Sequence, residues 1–393
     1  MNIKIIRGTH QIGGVATEIR TETTRIIIDM GDELSLNSDY VSAPLDIPGV
    51  TDSNGTCDGV LFTHYHGDHI GQLMRIRNDI PLFSGELAKE IMYASADHQY
   101  KRCDSLCKRI ITLKTFEAGK LFKIGDISIT PYSIDHSACD SYMFLIEADG
   151  KRILYTGDFR LHGFRGKAIP KILRKIGKVD VIVTEGTTLS RANIKPMTEA
   201  ELQQQAKHYL KQYKYVFVLC SSTNLERICA FSKAVPMGKY FVCDAYQKSL
   251  ISLVEKHWSL HSPLYRNVKA TVYGDNIFDK LSERGFLMMV RDNMGFRKII
   301  KKFDPRQSII IYSMWEGYLT KADGSLEDFL KTTNQWATLH TSGHASHKDL
   351  QTVINIANPD IIIPMHTDNP HAFQELISDK RVVILNDNSS FKI

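Results

Sequence analysis

Long apolar runs are missing from this 393-residue sequence. None is long enough to span a bilayer, so no membrane partner is expected. The opening stretch MNIKIIRGTHQIGG lacks the apolar core of a secretory signal and reads instead as a first strand. A paired cysteine framework is missing too. The seven cysteines are odd in number and scattered (Cys57, Cys103, Cys107, Cys139, Cys220, Cys229, Cys243), which points to reduced thiols in a cytoplasmic protein. Cys103 and Cys107 would share a helix face, but no second cysteine or histidine pair lies nearby to complete a tetrahedral metal site. Strong charge is absent: the net +5 permits an anionic substrate without demanding one. There is no internal repeat and no low-complexity tract, which excludes solenoids and long disordered linkers. What remains is a globular composition, long enough for one large domain or two ordinary ones.

The first half is rich in strands. MNIKIIRG, ATEIRTE, RIIIDMG and GVLFTH read as β-structure separated by glycine and polar turns. LFKIGDISITPYSID, YMFLIEADG, RILYTGDF and VDVIVTEG continue the series. Near Ala192 the texture changes to alternating helices and strands: TEAELQQQAKHYLKQY, YVFVLCSS, NLERICAFSKAV, YFVCDA, SLISLVEKHW, KATVYG and SIIIYSMW. That alternation predicts βαβ units and a parallel sheet. The pattern divides the chain into a first domain over 1–191, an inserted α/β domain over 192–335 and a return segment over 336–393. The fold class is therefore α/β, with strand-rich layers covered by helices.

One stretch stands out chemically. VLFTHYHGDHIGQL places His64, His66, Asp68 and His69 within six positions, straight after a buried strand. Imidazole and carboxylate together suit zinc or a similar divalent ion. A catalytic zinc takes about three protein ligands plus water, so this cluster holds too many for one ion, and a second metal is expected. Further ligands stand at strand ends, where functional side chains collect: His136 in YSIDHSACDS, Asp158 in LYTGDF and His366 in IIIPMHTDN. Alone, His136 or His366 would read as a surface residue; beside HxHxDH all three read as ligands.

These residues carry a resemblance. THYHGDH, DHSACDS and YTGDF, together with Asp29 in IIIDMG, resemble the successive motifs of the metallo-β-lactamase fold, an αββα sandwich with metals at one edge. VTEGTTLSR with Glu185, LHTSGHASHKDL with His344 and PMHT with His366 resemble the three further motifs of the β-CASP nucleases. Within that group the chain is similar to ribonuclease J and to the cleavage subunit of the eukaryotic polyadenylation machinery. The resemblance implies two divalent metal ions, zinc or else manganese, sharing a hydroxide that attacks phosphorus. His64, His66 and His136 would hold one ion, and Asp68, His69 and His366 the other, with Asp158 bridging and Asp29 orienting a histidine ligand. Asp68, Glu185 and His344 would serve catalysis, His344 as the general acid with Glu185 raising and orienting it.

The resemblance also suggests a phosphate pocket. Ser221, Ser222, Thr223 and Asn224 sit between a strand end and a helix start, with Arg227, Ser342, Gly343 and Ser346 as companions; a plain helix cap is the competing reading. Tyr312, Trp315 and Tyr318 could stack bases, though such clusters usually belong to a core or an interface. Histidine at position 366 resembles the RNA-acting members of the group. The expected function is thus hydrolysis of single-stranded RNA, with 5′-to-3′ exonuclease action favoured over endonuclease action. The alternatives are a DNA nuclease of the same architecture, a lactonase or esterase, and an RNA-binding protein that does not cleave. The sequence stops soon after His366, without the extra C-terminal domain of ribonuclease J, so a homodimer is one option and the oligomeric state stays open.

Overall fold

A computed structural model describes residues 1–35, 40–100, 104–320, 324–377 and 381–393. Cys103, and with it the Cys103–Cys107 pairing, lies outside the described residues. The chain divides into one unit of Met1–Leu34, Tyr40–Lys195 and Gly343–Ile393, and another built on Pro196–Ser342.

Two sheets form the first unit. One has seven strands and runs from Ser389–Lys392 through Asn2–Arg7, Ala16–Arg20, Arg25–Ile28, Gly59–Leu61 and Leu82–Gly85 to Lys114–Phe116. The other has six: Ile361–Met365, Val181–Glu185, Lys151–Tyr155, Ser141–Ala148, Ile127–Ile134 and Phe122–Ile124. Strand alternation explains the layers. Ile153, Tyr155, Val181, Val183 and Ile363 pack with Ile5, Ile26, Ile28 and Leu61 of the facing sheet. Their neighbours Leu154, Ile182 and Ile362 point the other way, against the helices Ile169–Ile176 and His347–Ala357. These three strands are covered on both faces, which is why they read as near-continuous apolar runs. Lys151–Tyr155, Val181–Glu185 and Ile361–Met365 are parallel neighbours, so their carboxyl ends share one edge.

The second unit is a six-stranded sheet, parallel throughout, as the alternating pattern predicts. Its first helix, Glu199–Gln212, is closed by a reciprocal cap between Thr198 and Glu201. Trp336–Thr338, assigned from sequence to the return segment, instead pairs with Ser308–Tyr312 as the edge strand of this sheet. Tyr312 is fully buried in the core of this unit and is not available to stack a base. Trp315 is exposed and meets Tyr318 edge to face at 5.4 Å. No helix among the described residues is long and apolar enough to cross a membrane.

Candidate metal centre

The parallel strand ends carry the chemistry. Asp158 follows Lys151–Tyr155, Glu185 ends Val181–Glu185, and His366 follows Ile361–Met365. From the facing sheet, Asp29 follows Arg25–Ile28 and His64 follows Gly59–Leu61. Asp29 and His366 adopt left-handed backbone, with φ of 60° and 50°. That conformation costs about 1–3 kcal/mol per residue and persists only where the surroundings enforce it. Here the Asp29 amide donates to Leu61 O at 2.8 Å and the His366 amide to Gly8 O at 2.7 Å.

His64, His66 and His136 converge. His64 Nε2 lies 3.2 Å from His66 Nδ1, and His136 Nε2 lies 3.1 Å from the same atom. Asp68, His69, Asp158 and His366 form an adjoining group. There His69 Nε2 stands 3.1 Å from Asp158 Oδ2, and His366 Nε2 stands 3.1 Å from Asp68 Oδ2. Asp158 Oδ2 is within 4.0 Å of both His64 Nε2 and His136 Nε2, which puts it between the two groups. Asp158, Glu185, His344 and His366 make a third combination with metal-binding geometry.

The hydrogen bonds behind these rings decide which nitrogens face inward. The Thr63 hydroxyl donates to Asp29 Oδ2 at 2.8 Å, so the contact at 3.1 Å to His64 Nδ1 is a donation from the ring. His69 Nδ1 donates to Asp29 Oδ2 at 2.8 Å. His136 Nδ1 donates to the Gly343 carbonyl at 2.6 Å. Thr187 directs its hydroxyl to the His366 carbonyl and so accepts from His366 Nδ1 at 2.8 Å. In a neutral imidazole this leaves Nε2 of all four rings as a lone pair. Lone pairs and carboxylate oxygens thus face one another, an arrangement that calls for cations between them. Asp158 Oδ1 is buried with no hydrogen-bond partner, another acceptor awaiting one.

Spacing agrees. Ligands at about 2.0–2.1 Å from a tetrahedral zinc stand about 3.3 Å apart, close to the separations within each group. Charge agrees as well. Burial pushes His64 and His136 well below the usual imidazole range and His66 down to about 4, so all three are neutral and ready to bind metal. Burial opposes charge on Asp158, yet His366, His69 and His344 outweigh it and hold the carboxyl well below its ordinary range. His69 is also opposed by burial, but Asp158 and Asp29 raise it well above normal, a proton taking up the charge that a metal would supply.

His344 stands beside this cluster. Its Nδ1 lies 3.0 Å from Glu185 Oε2 and 3.6 Å from Asp158 Oδ2, and its side chain is 22% exposed where the cluster is closed. Glu185 is fully buried and also accepts from the amides of Phe159 at 2.8 Å and Ala345 at 3.3 Å. Burial lowers the His344 pKa, but Glu185 and Asp158 more than offset it, so the net direction is upward.

The expected phosphate residues fare differently. Arg227 is fully buried and all five of its donors are used. They reach Glu199, Ser313 O, His340 Nδ1 and Thr341 O, the closest contact being 2.6 Å to Glu199 Oε1. No donor is left for a phosphate; Arg227 instead ties the helix Leu225–Ala234 to the 340–341 backbone. Removing one partner of such a buried pair costs about 3–5 kcal/mol. Arg227→Met should therefore lower the denaturation midpoint markedly while leaving metal content unchanged, as read by urea titration and metal analysis. Asn224 caps its helix by accepting from the Arg227 amide, and Ser346 caps His347–Ala357 through a reciprocal pair with Asp349. The capping reading therefore holds for both. Ser221 Oγ lies 3.1 Å from Thr223 Oγ1, and Ser222 Oγ accepts from Arg291 at 3.4 Å. Gly343 acts through its carbonyl on His136, and a Cβ there would press on Ser137 and the His136 ring. Ser342 belongs to the second unit, Gly343 and Ser346 to the first.

Sequence reasoning missed Thr63, Thr187 and the pair of Asp135 with Arg160, fully buried at 2.8 Å next to His136. Lone threonines and a second-neighbour arginine carry no spacing pattern that would mark them.

Residues 24–215 match a family described as beta-lactamase superfamily domain, and residues 335–385 match one described as Zn-dependent metallo-hydrolase RNA specificity domain. The chain is similar to ribonuclease J of Helicobacter pylori, at 20% identity over 100% of this chain and 60% of that protein. It is similar to ribonuclease J of Corynebacterium glutamicum at 21% identity, over 94% of this chain and 54% of that protein. The chain thus spans roughly 60% of the length of such relatives. A crystal structure of a protein of unknown function from Enterococcus faecalis V583 superimposes with a TM-score of 0.78 at 18% identity, covering 99% of each chain. The metallo-β-lactamase, ribonuclease J-like resemblance read from the motifs is borne out.

Proposed function

We propose that this chain, which matches a beta-lactamase superfamily domain over residues 24–215 and a Zn-dependent metallo-hydrolase RNA specificity domain over residues 335–385, is a metal-dependent ribonuclease that hydrolyses phosphodiester bonds of single-stranded RNA. The observation that carries the reading is the set of inward lone pairs and carboxylates around Asp158 Oδ2, with the His344–Glu185 pair alongside. RNA as substrate is supported by the match to an RNA specificity domain and by the names of the relatives.

His64, His66 and His136 would hold one divalent ion, and Asp68, His69 and His366 a second, with Asp158 reaching both. Zinc suits this nitrogen and oxygen set, and manganese is the alternative. A pair of such ions lowers the pKa of water and offsets charge on a phosphoryl group. The chain's own part is orientation and proton transfer. Thr63, Asp29, Thr187 and the Gly343 carbonyl fix which ring nitrogen each histidine presents. Glu185 holds His344 with Nδ1 toward the cluster, so that Nε2 can give a proton to the departing oxygen. Loss of an orienting carboxylate typically lowers metal affinity about 10–100-fold. Asp29→Asn should do so here, measured by competition with a chromophoric chelator.

The reducing cytoplasm is proposed as the compartment, because the seven cysteines are odd in number and scattered along the chain. A 5′-to-3′ exonuclease is the favoured mode. The test is degradation of a 5′-monophosphorylated, 3′-labelled single-stranded RNA beside its DNA counterpart, with zinc- or manganese-loaded protein. Progressive loss of RNA alone supports the reading. A ladder of internal cuts would make the enzyme an endonuclease, equal cutting of DNA would remove the RNA assignment, and cleavage of neither would turn attention to esters and lactones.

A further inference from the structure

The helix Ile169–Ile176 has an unusual charge. From residue 163 to 179 the chain carries six cations (Arg165, Lys167, Lys171, Arg174, Lys175, Lys178) and no carboxylate. That local +6 exceeds the +5 of the entire chain. Ile169, Leu173 and Ile176 are buried against the sheet, while Lys167, Lys171, Arg174 and Lys175 are exposed and meet no carboxylate among the described residues. Lys178 pairs with Asp360 at 2.6 Å.

Stability does not account for this pattern. An ordinary solvated helix face mixes signs at three- and four-residue spacing, and like charges at that spacing repel. Lys171 faces Arg174 and Lys175 in that way. Lys167 and Lys171 also sit at the amino end of the helix, where the helix dipole disfavours cations. The neighbouring helix His347–Ala357 extends the surface: Lys348, Gln351 and Asn355 are exposed, and Asp349, its one carboxylate, is turned inward to Ser346, Leu161 and His162.

Position gives the patch a purpose. Both helices cover the same face of the sheet, and each returns the chain toward the next parallel strand. Both therefore start at the edge that holds Asp158, Glu185 and His366. The leading loops are tied there, through Phe159 to Glu185 and through Ala345 to the same carboxylate.

We propose that this two-helix face binds the phosphate backbone of single-stranded RNA beyond the nucleotides that occupy the metal centre. The inference rests on the ribonuclease reading above. An RNA strand fits better than an anionic membrane, because the apolar side of Ile169–Ile176 is committed to the core and a surface-lying membrane helix needs it free.

The test compares the wild type with Lys167→Gln/Lys171→Gln/Arg174→Gln/Lys175→Gln. Both bind phosphorothioate-linked, hydrolysis-resistant RNAs, one short (about six nucleotides) and one long (about 24), followed by fluorescence anisotropy across a salt series. Each lost phosphate contact removes about 0.7 from the slope of log affinity against log salt. The variant should lose up to about 3 on the long RNA, with at least a tenfold loss of affinity at low salt, and nothing on the short one. Circular dichroism and metal content check folding; should the fourfold variant misfold, Lys171→Gln/Lys175→Gln should show about half the change in slope. Equal effects on both lengths, or none, overturn the proposal. So does a loss of binding to phosphatidylserine vesicles with RNA binding intact. Cleavage of short unmodified RNA is scored separately. If it is cut while long RNA binds both proteins equally, the surface proposal fails and the ribonuclease reading stands; if it is never cut yet the slope changes, the reverse holds.

Discussion

Asp158→Asn is expected, on the proposed two-metal ribonuclease reading, to reduce the bound divalent metal from two ions per chain to at most one, and to slow RNA hydrolysis by at least about 10³-fold. A metal ion can lower the pKa of its water from about 15.7 to about 7, and losing that advantage dominates the rate. Asp158 is singled out because its Oδ2 lies within 4.0 Å of ring nitrogens of both groups. Asparagine keeps the shape and removes the charge, so the loss should reside in the metal and not in the fold. A neutral amide also relieves the metal-free protein of a buried carboxylate, so circular dichroism should show native structure. Metal analysis after gel filtration, paired with single-turnover cleavage, checks both halves. Two ions retained with normal cleavage would remove Asp158 from the bridging position.

The convergence of these histidines and carboxylates is legible in the sequence because most of the cluster is local. His64, His66, Asp68 and His69 lie within six positions, and steric limits on a loop that short bring their side chains to one place. Asp158 and His366 are far apart in sequence, but each directly follows a short apolar strand, and parallel strands bring such ends to one edge. Arg227 shows where that logic stops. A strand, a serine-rich turn and an arginine one helical turn on look the same whether the guanidinium faces a phosphate or a buried carboxylate. Glu199, which claims it at 2.6 Å, reads in sequence as an ordinary first-turn acid of its own helix. The orienting groups were hidden for a different reason. Thr63 and Thr187 act through single hydroxyls, and Gly343 through a carbonyl that every residue possesses. Trp336–Thr338 was assigned to the return segment because a three-residue apolar strand before a turn fits either sheet equally well.

His344→Ala should lower the turnover rate about 10²–10⁴-fold, the usual worth of a positioned general acid, with metal content unchanged. Metal retention separates this variant from Asp158→Asn, because the His344 ring lies at the rim of the cluster and its proposed part is to give a proton in place of a lone pair. The sign of the pH dependence follows from its surroundings. Burial lowers the His344 pKa, Glu185 and Asp158 raise it more, and the net direction is upward. An acid must be protonated to act, so turnover should fall as pH rises through that raised pKa. Cations on Asp158 would cancel that residue's contribution, leaving Glu185 as the main group that keeps the ring charged. Glu185→Gln should therefore move the falling limb of kcat toward lower pH, with metal content unchanged. His344→Ala should abolish the limb and leave a flat, low rate. A leaving group that needs no proton, such as a nitrophenolate ester of thymidine monophosphate, should be cut by His344→Ala far closer to the wild-type rate than RNA is. If that activated substrate suffers as much as RNA, His344 acts on metal or geometry and not as the acid.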